Sequence, residues 1–386
     1  MTDPTHVYLN LDVVNNSTTT ANPLIFNETR NMPFLSSSDN YFCSVVRFTL
    51  QTSNSLPVFI PDIRVGQNDV NQTVYGITLS LSVATSIPAT TKTRSAYVSY
   101  ESFDTTQATP STPTTQLGNA SPYYYIYNVN DWVDIINSAF INLTTQLRGE
   151  FTGETPAPAF RPPFVSYDIS TGLFTINKDN SVDFVGSGGT YSLDIYFNAR
   201  LYNILPFSSR LMAAPADLAY NTTYKLNIFN KSHANITTLY AGSGDPIRYI
   251  SLQTEFSPLP MMNPVRSIFF KSLTLPIQPT LTQPPKAYTD ITISDSGGLP
   301  AISNILTDFE VPVSAQNNYS GELIYQPQAE YRFLDMNSSF NLNKIDLQAG
   351  WTDKYGNAFP LYLQTGCCAS LKLLFRHKRF NLSYNY

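Results

Sequence analysis

Apolar and polar side chains alternate along much of the chain, most regularly near its C-terminal end. Ile345, Leu347, Ala349 and Trp351 alternate with Asp346, Gln348, Gly350 and Thr352, a period of two that gives a strand one apolar and one polar face. Asp353 to Asn357 supplies turn chemistry, with Gly356 free to adopt positive φ. Phe359, Leu361 and Leu363 form the next apolar row. After a turn at Thr365–Gly366, Ala369, Leu371, Leu373 and Phe375 alternate with Ser370, Lys372 and Arg376. The stretch reads as a closing meander of three antiparallel strands.

Similar runs, rich in β-branched and aromatic residues, predict strands at His6–Val14, Tyr41–Leu50, Val74–Val83, Ser95–Ser102, Phe164–Tyr167, Leu173–Asn177 and Val265–Leu275. Pro57 and Pro61 bracket a short apolar segment and mark it as an edge, and Tyr123–Tyr127 reads as an aromatic strand. Helical spacing is clear in one place, where Trp132, Ile136, Phe140, Leu143 and Leu147 predict a helix over about 131–147. Asn130 is the expected N-cap, Asp131 and Asp134 suit the first turn, and Gly149 stops the helix. A second short helix is expected within Tyr191–Leu205, with Phe197, Leu201 and Leu205 on one face. Asp104–Pro122 and Gly149–Pro163 hold too few apolar groups to form a core and read as exposed loops.

Many strands and few helices make the fold class all-β. A chain of 386 residues can hold two sandwiches, and each half carries about eight to ten strands, which suits a jelly roll apiece. Short similar phrases, VVRFTL from Val45 and VRSIFF from Val265, favour duplication. The expected organisation is two jelly rolls (a double jelly roll), 1–215 with the helix and 216–386. The runner-up is one jelly roll built from 1–103 and 247–386, with an insertion over 104–246.

Composition narrows the function. The chain is 42% hydrophobic, enough to fill a core, yet only 13% charged, against about 25% in ordinary soluble domains. Neutral amides and hydroxyls, with 25 Tyr and 24 Phe, suit broad contact with other copies, because few charges must be desolvated. The net charge of −5 argues against bulk neutralisation of nucleic acid. One basic cluster stands out. Within it Lys372, Arg376, Lys378 and Arg379 are candidates for genome or inter-subunit contact, against the plainer reading of a charged strand edge that resists edge-to-edge pairing. The opening residues carry no basic arm, apolar signal core or membrane-spanning run, so neither signal-peptide secretion nor membrane insertion is expected.

Chemistry is sparse. Cys43, Cys367 and Cys368 lack metal-ligand spacing and read as free thiols. His6, His233 and His377 have no partner at metal spacing and no adjacent nucleophile motif. Asp179, Asn180 and Asp183 lack the glycine and distal glutamate of a calcium loop, and Gly186–Gly189 reads as a hairpin tip. No catalytic, cofactor or metal residue is assigned, and no enzyme is expected. The alternative is a secreted or intracellular aspartic-protease-like hydrolase using Asp295, because Asp295-Ser296-Gly297 has the form of that active-site tripeptide. Such enzymes need two carboxylates sharing a proton, and the nearest second candidate, Asp168 to Gly172, has the wrong spacing.

Three stretches, YYYIYNVNDWVDIINSAF, EYRFLDM and KIDLQAGWTDKYGNAFPLYLQTGCCASLKLLFR, resemble jelly-roll coat proteins of small viruses, among them the minor capsid (penton) proteins of virophages and polinton-like viruses. The resemblance implies a structural protein of the virion, assembled inside the host cell. It also implies oligomers of five, three or six subunits, which join other copies and other capsid proteins in an icosahedral shell. The missing basic arm departs from many small coats of this kind, so at most weak contact with packaged nucleic acid is expected.

Overall fold

A computed structural model describes residues 4–52, 54–83, 90–103, 107–111, 121–151, 160–179, 191–217, 219–228, 235–240, 246–282, 286–289, 292–295, 301–311, 321–327 and 332–379. The chain packs into two compact units. The first comprises Met1–Pro57, Pro264–Pro312 and Tyr319–Tyr386, and the second comprises Val58–Asn263 and Val313–Asn318. The expected serial division at 215/216 is therefore not the one the chain adopts. Its first strand pairs with its last, His6 opposite Arg376 and Val14 opposite Cys368, which places both ends of the chain in one unit.

The first unit has eight principal strands, His6–Val14, Ile25–Thr29, Tyr41–Gln51, Val265–Lys271, Ile305–Glu310, Glu322–Tyr325, Lys344–Asp353 and Cys368–His377. In that numbering one sheet has the order 1-8-3-6 and the other 5-4-7-2. This is the winding of an eight-stranded jelly roll, in which first and last strands are neighbours. The second unit enters between the third and fourth strands. Its described strands form sheets led by Gln72–Val83, paired with Thr90–Ser99 and Tyr191–Asn198, and by Leu173–Asp179, paired with Phe164–Asp168 and Pro246–Gln253. They do not repeat the jelly-roll order.

The closing meander is corrected too. Lys344–Asp353 pairs with Val265–Lys271, Ile25–Thr29 and the short Ala358–Pro360. Cys368–His377 lies in the other sheet, between His6–Val14 and Tyr41–Gln51. The two strands thus face each other across the core. Alternation fixes which face of a strand is buried but not which strand pairs beside it, and Pro360 ends the intervening ladder early.

That core is aromatic and aliphatic. Ile345, Leu347 and Trp351 are buried from one sheet and Leu371, Leu373 and Phe375 from the other. Phe48 meets Phe270 edge-on, with ring centroids 4.9 Å apart. Trp351 stacks on Phe359 at 4.4 Å. On the opposite face of the same strand, Gly350 lies against Phe269, where an added Cβ would fall 2.4 Å from that ring and 2.8 Å from the Phe359 carbonyl oxygen.

In the second unit the helix spans Val129–Gly149, and its cap is Asn128, whose side chain accepts from the Asn130 amide. The expected cap, Asn130, lies inside the first turn. Trp132, Ile136, Phe140, Leu143 and Leu147 are buried as expected, with Trp132 packed on Phe59 and Tyr75. Asn137 ties the helix to the strand Phe164–Asp168 through both the amide and the carbonyl of Val165. Tyr123–Tyr127 is not a strand. Pro122–Tyr124 forms a 3-10 turn, because the tyrosine rings pack on Tyr100 while their hydroxyls reach Asn71 and the Val70 carbonyl. Phe59 and Ile126 make a single bridge. Tyr191–Leu205 divides into the strand Tyr191–Asn198 and the short helix Ala199–Ile204.

Candidate functional site

The basic cluster is positioned by the strand Cys368–His377. Ala369, Leu371, Leu373, Phe375 and His377 are buried on the core face, whereas on the other face Lys372 and Arg376 are partly exposed on either side of the buried Leu374. Alternation therefore directs the two cations away from the core, onto the outer face of the sheet. The neighbouring strand His6–Val14 presents Tyr8, Asn10 and Asp12 on that same face, opposite Leu374, Lys372 and Ser370. Tyr8 is 56% exposed, and the Lys372 ammonium lies 5.0 Å from its ring centre.

The third strand of this face adds a residue that sequence reasoning missed. In Tyr41–Gln51 the buried core-facing residues are Tyr41, Cys43 and Val45, then Phe48 and Leu50, while Ser44 is buried on the other face. The buried face changes parity because the ladder skips a residue. Leu373 pairs with Val45 and Lys372 with Arg47, leaving Val46 as a bulge. Strict alternation would direct Arg47 inward with Cys43 and Val45. The bulge turns it outward, directly opposite Lys372. Opposed residues on adjacent strands have Cα atoms about 4.5–5.5 Å apart, and like charges so placed repel.

The four expected residues do not act alike. Arg376 stands four residues along the strand from Lys372, about 13 Å away, with its guanidinium 5.4 Å from the Phe333 ring. Its Nε is buried without a hydrogen-bond partner among the described residues. Lys378 is neutralised by an ion pair with Asp335, and its Nζ also donates to the Met336 carbonyl. Arg379 is exposed, and its backbone amide donates to His377 Nδ1. Among the described residues, Arg47, Lys372 and Arg376 form no ion pair. On this face Asp12 lies opposite Ser370, beyond Lys372, and Asp335, already paired with Lys378, lies opposite Phe42, the residue that faces Arg376.

The other candidates have structural settings. Asp295 ends the strand Thr292–Asp295 of the first unit, while Ser296 and Gly297 lie outside the described residues. Asp168 belongs to the second unit, where its carboxylate accepts from Ser170 and Thr171 of its own turn. Those bonds hold its pKa below the ordinary aspartate value. His233, Asn180, Asp183 and Gly186–Gly189 lie outside the described residues. His377 is buried, edge-on to Tyr41, and His6 is exposed beside the Thr5 hydroxyl. The three cysteines are free, and burial pushes the Cys43 thiol up to about 12. Among the described residues, no three His, Cys, Asp or Glu side chains gather to hold a metal, and no helix is long and apolar enough to cross a membrane.

Comparison with known proteins gives this fold a context. The family model of the Sputnik minor capsid protein V18/19 matches residues 7–377. The chain is 31% identical to the uncharacterized protein V18 of the Sputnik virophage over 135 residues, 35% of this chain and 78% of that protein. It superposes on a chain of the cryo-EM structure of the Sputnik virophage with a TM-score of 0.75 at 22% identity, covering 98% of this chain and 99% of the other. It also superposes on the mavirus penton protein with a TM-score of 0.59 at 18% identity, covering 96% and 99%. The mostly β, jelly-roll fold expected from the sequence is the fold of these virophage proteins.

Proposed function

The chain belongs to the Sputnik minor capsid protein V18/19 family, and from that premise we propose how it serves as a structural component of a viral capsid. The observation that carries the reading is the family match, which runs through both units from the first strand of the jelly roll to its last. The subunit closes into a ring with copies of itself, takes a vertex (penton) position beside other capsid proteins, and so completes an icosahedral shell. Likeness to the mavirus penton protein over nearly the whole chain supports that position. Ring closure needs a head-to-tail interface between different patches of neighbouring subunits, and a surface with few charges to desolvate favours such contact.

The subunit is one jelly roll with a β-rich unit inserted between its third and fourth strands. This shares with the runner-up organisation a single jelly roll carrying an insertion, but the insertion spans Val58–Asn263 rather than 104–246. It works by occupying its place rather than by turnover, and the hydrolase alternative at Asp295 is set aside. Of the cluster Lys372, Arg376, Lys378 and Arg379, the members without an ion pair among the described residues contact the packaged genome or a neighbouring subunit, since Asp335 already neutralises Lys378. Size-exclusion chromatography with light scattering tests the assembly. A closed oligomer at micromolar concentration is expected, and a strict monomer throughout that range contradicts it.

A further inference from the structure

We propose, resting on the capsid reading above, that Arg47, Lys372 and Arg376 form a phosphate-binding row for nucleic acid, without preference for sequence. The row differs from the cluster visible in the sequence. It gains Arg47, brought from a strand more than three hundred residues away in sequence by the register with Lys372, and it loses Lys378, which Asp335 already neutralises.

Charge placement selects the ligand class. The chain has 28 acidic against 23 basic side chains, so carboxylates are in excess, yet none described pairs with these three cations. Instead a bulge sets Arg47 beside Lys372, an arrangement that costs stability unless an anion bridges the two. Arg376 continues the row about 13 Å along the same strand, at the end away from Asp12, and the carboxylate across Phe42 from it, Asp335, is held by Lys378. An anion with one charge satisfies a single point of this row. A polyanion with regularly spaced charges satisfies its length, and phosphate contacts of this kind position nucleic acid without reading bases.

Tyr8 supplies the second element. Its ring is 56% exposed and borders Lys372, where an unstacked base can lie on it, as aromatic platforms beside cationic grooves allow. The overall charge of −5 opposes nucleic-acid binding by the chain as a whole, which makes contact at this face weak per subunit.

The test is fluorescence anisotropy of the intact protein with labelled random-sequence oligonucleotides, single-stranded and duplex, across about 50–200 mM salt. The wild type is compared with an Arg47→Gln/Lys372→Gln double variant. Three phosphate contacts per engaged subunit give a log–log salt slope of about −2.7 on duplex or −2.1 on a single strand. Removing two of the three cuts that slope to about one third. Light scattering and thermal melting of the same samples should show unchanged assembly and folding, since both side chains face away from the core. Absence of wild-type binding at the lowest salt, or binding that the double variant leaves unchanged, overturns the proposal. A double variant that no longer oligomerises assigns the face to a neighbouring subunit and also overturns it. The oligomeric state of the wild type reports separately on the capsid reading.

Discussion

Trp351→Ala probes the core on which the jelly roll depends. Trp351 is 2% exposed and stacks on Phe359 at 4.4 Å, with Ile268 opposite it on the adjacent strand. A buried aromatic of this size removes about 150–250 Å² from water, which at about 25 cal/mol per Å² corresponds to roughly 4–6 kcal/mol. Alanine retains a small part of that, and large-to-small core substitutions of this type cost about 3–5 kcal/mol. The whole stability of an ordinary domain is about 5–15 kcal/mol. For a unit of this size each kcal/mol moves the melting temperature by about 2–4 °C, so a fall of roughly 10 °C is expected. Trp351→Phe, which keeps an aromatic ring against Phe359, should recover more than half of it. Calorimetry is the assay, with limited proteolysis to show that cleavage begins in the first unit. A change below about 1 kcal/mol for Trp351→Ala would refute the burial of this strand in the core.

Three further outcomes follow from single side chains. Gly350→Ala forces a Cβ against both the Phe269 ring and the Phe359 carbonyl, so overpacking should cost about 1–3 kcal/mol, read by chemical denaturation, and Phe269→Ala should relieve part of it. Burial alone would raise the pKa of Asp346, but hydrogen bonds from Thr274, Ser272 and Leu273 outweigh it and lower the value. Its stabilising contribution is therefore present above the unfolded aspartate pKa of about 3.9, is lost as pH falls through the lower folded value, and should vanish from melting-versus-pH curves in Asp346→Asn. Cys43, buried with its pKa at about 12, should resist alkylation at pH 8 in the folded protein while the partly exposed Cys368 is labelled, as peptide mapping would show.

Local features of the fold were legible because they depend on short spacings. His6–Val14 forms with the expected bounds, the helix buries the expected row from Trp132 to Leu147, and Gly356 takes positive φ in its turn. Pairing partners were not legible. Nothing near His6 indicates that Arg376 lies opposite it, and nothing in Gln51 or Val265 shows that a whole unit separates two strands of one sandwich. Similar texture on both sides of the insertion suggested two repeats, whereas one jelly roll is wound from both flanks. Spacing points to Asn130 rather than Asn128 as the cap because the apolar row begins at Trp132, although Val129 already belongs to the first turn.

The candidate site shows the same limit more sharply. Lys372 and Arg376 were visible because their strand keeps its alternation in register, with Leu374 the one apolar residue on the polar face. Arg47 was hidden by one unpaired residue, Val46, which reverses the face of everything that follows it. Lys378 and Arg379 joined the cluster by adjacency in sequence. Folding separates their roles, since Asp335 arrives from another strand to pair with Lys378.

A cryo-EM reconstruction of particles of the virus that encodes this chain tests its structural role most directly. A capsid building block should appear as a closed ring of jelly-roll subunits at symmetric positions of the shell, each with the inserted helical and β-rich unit resolved. Particles whose complete shell contains no density for the chain would contradict that role.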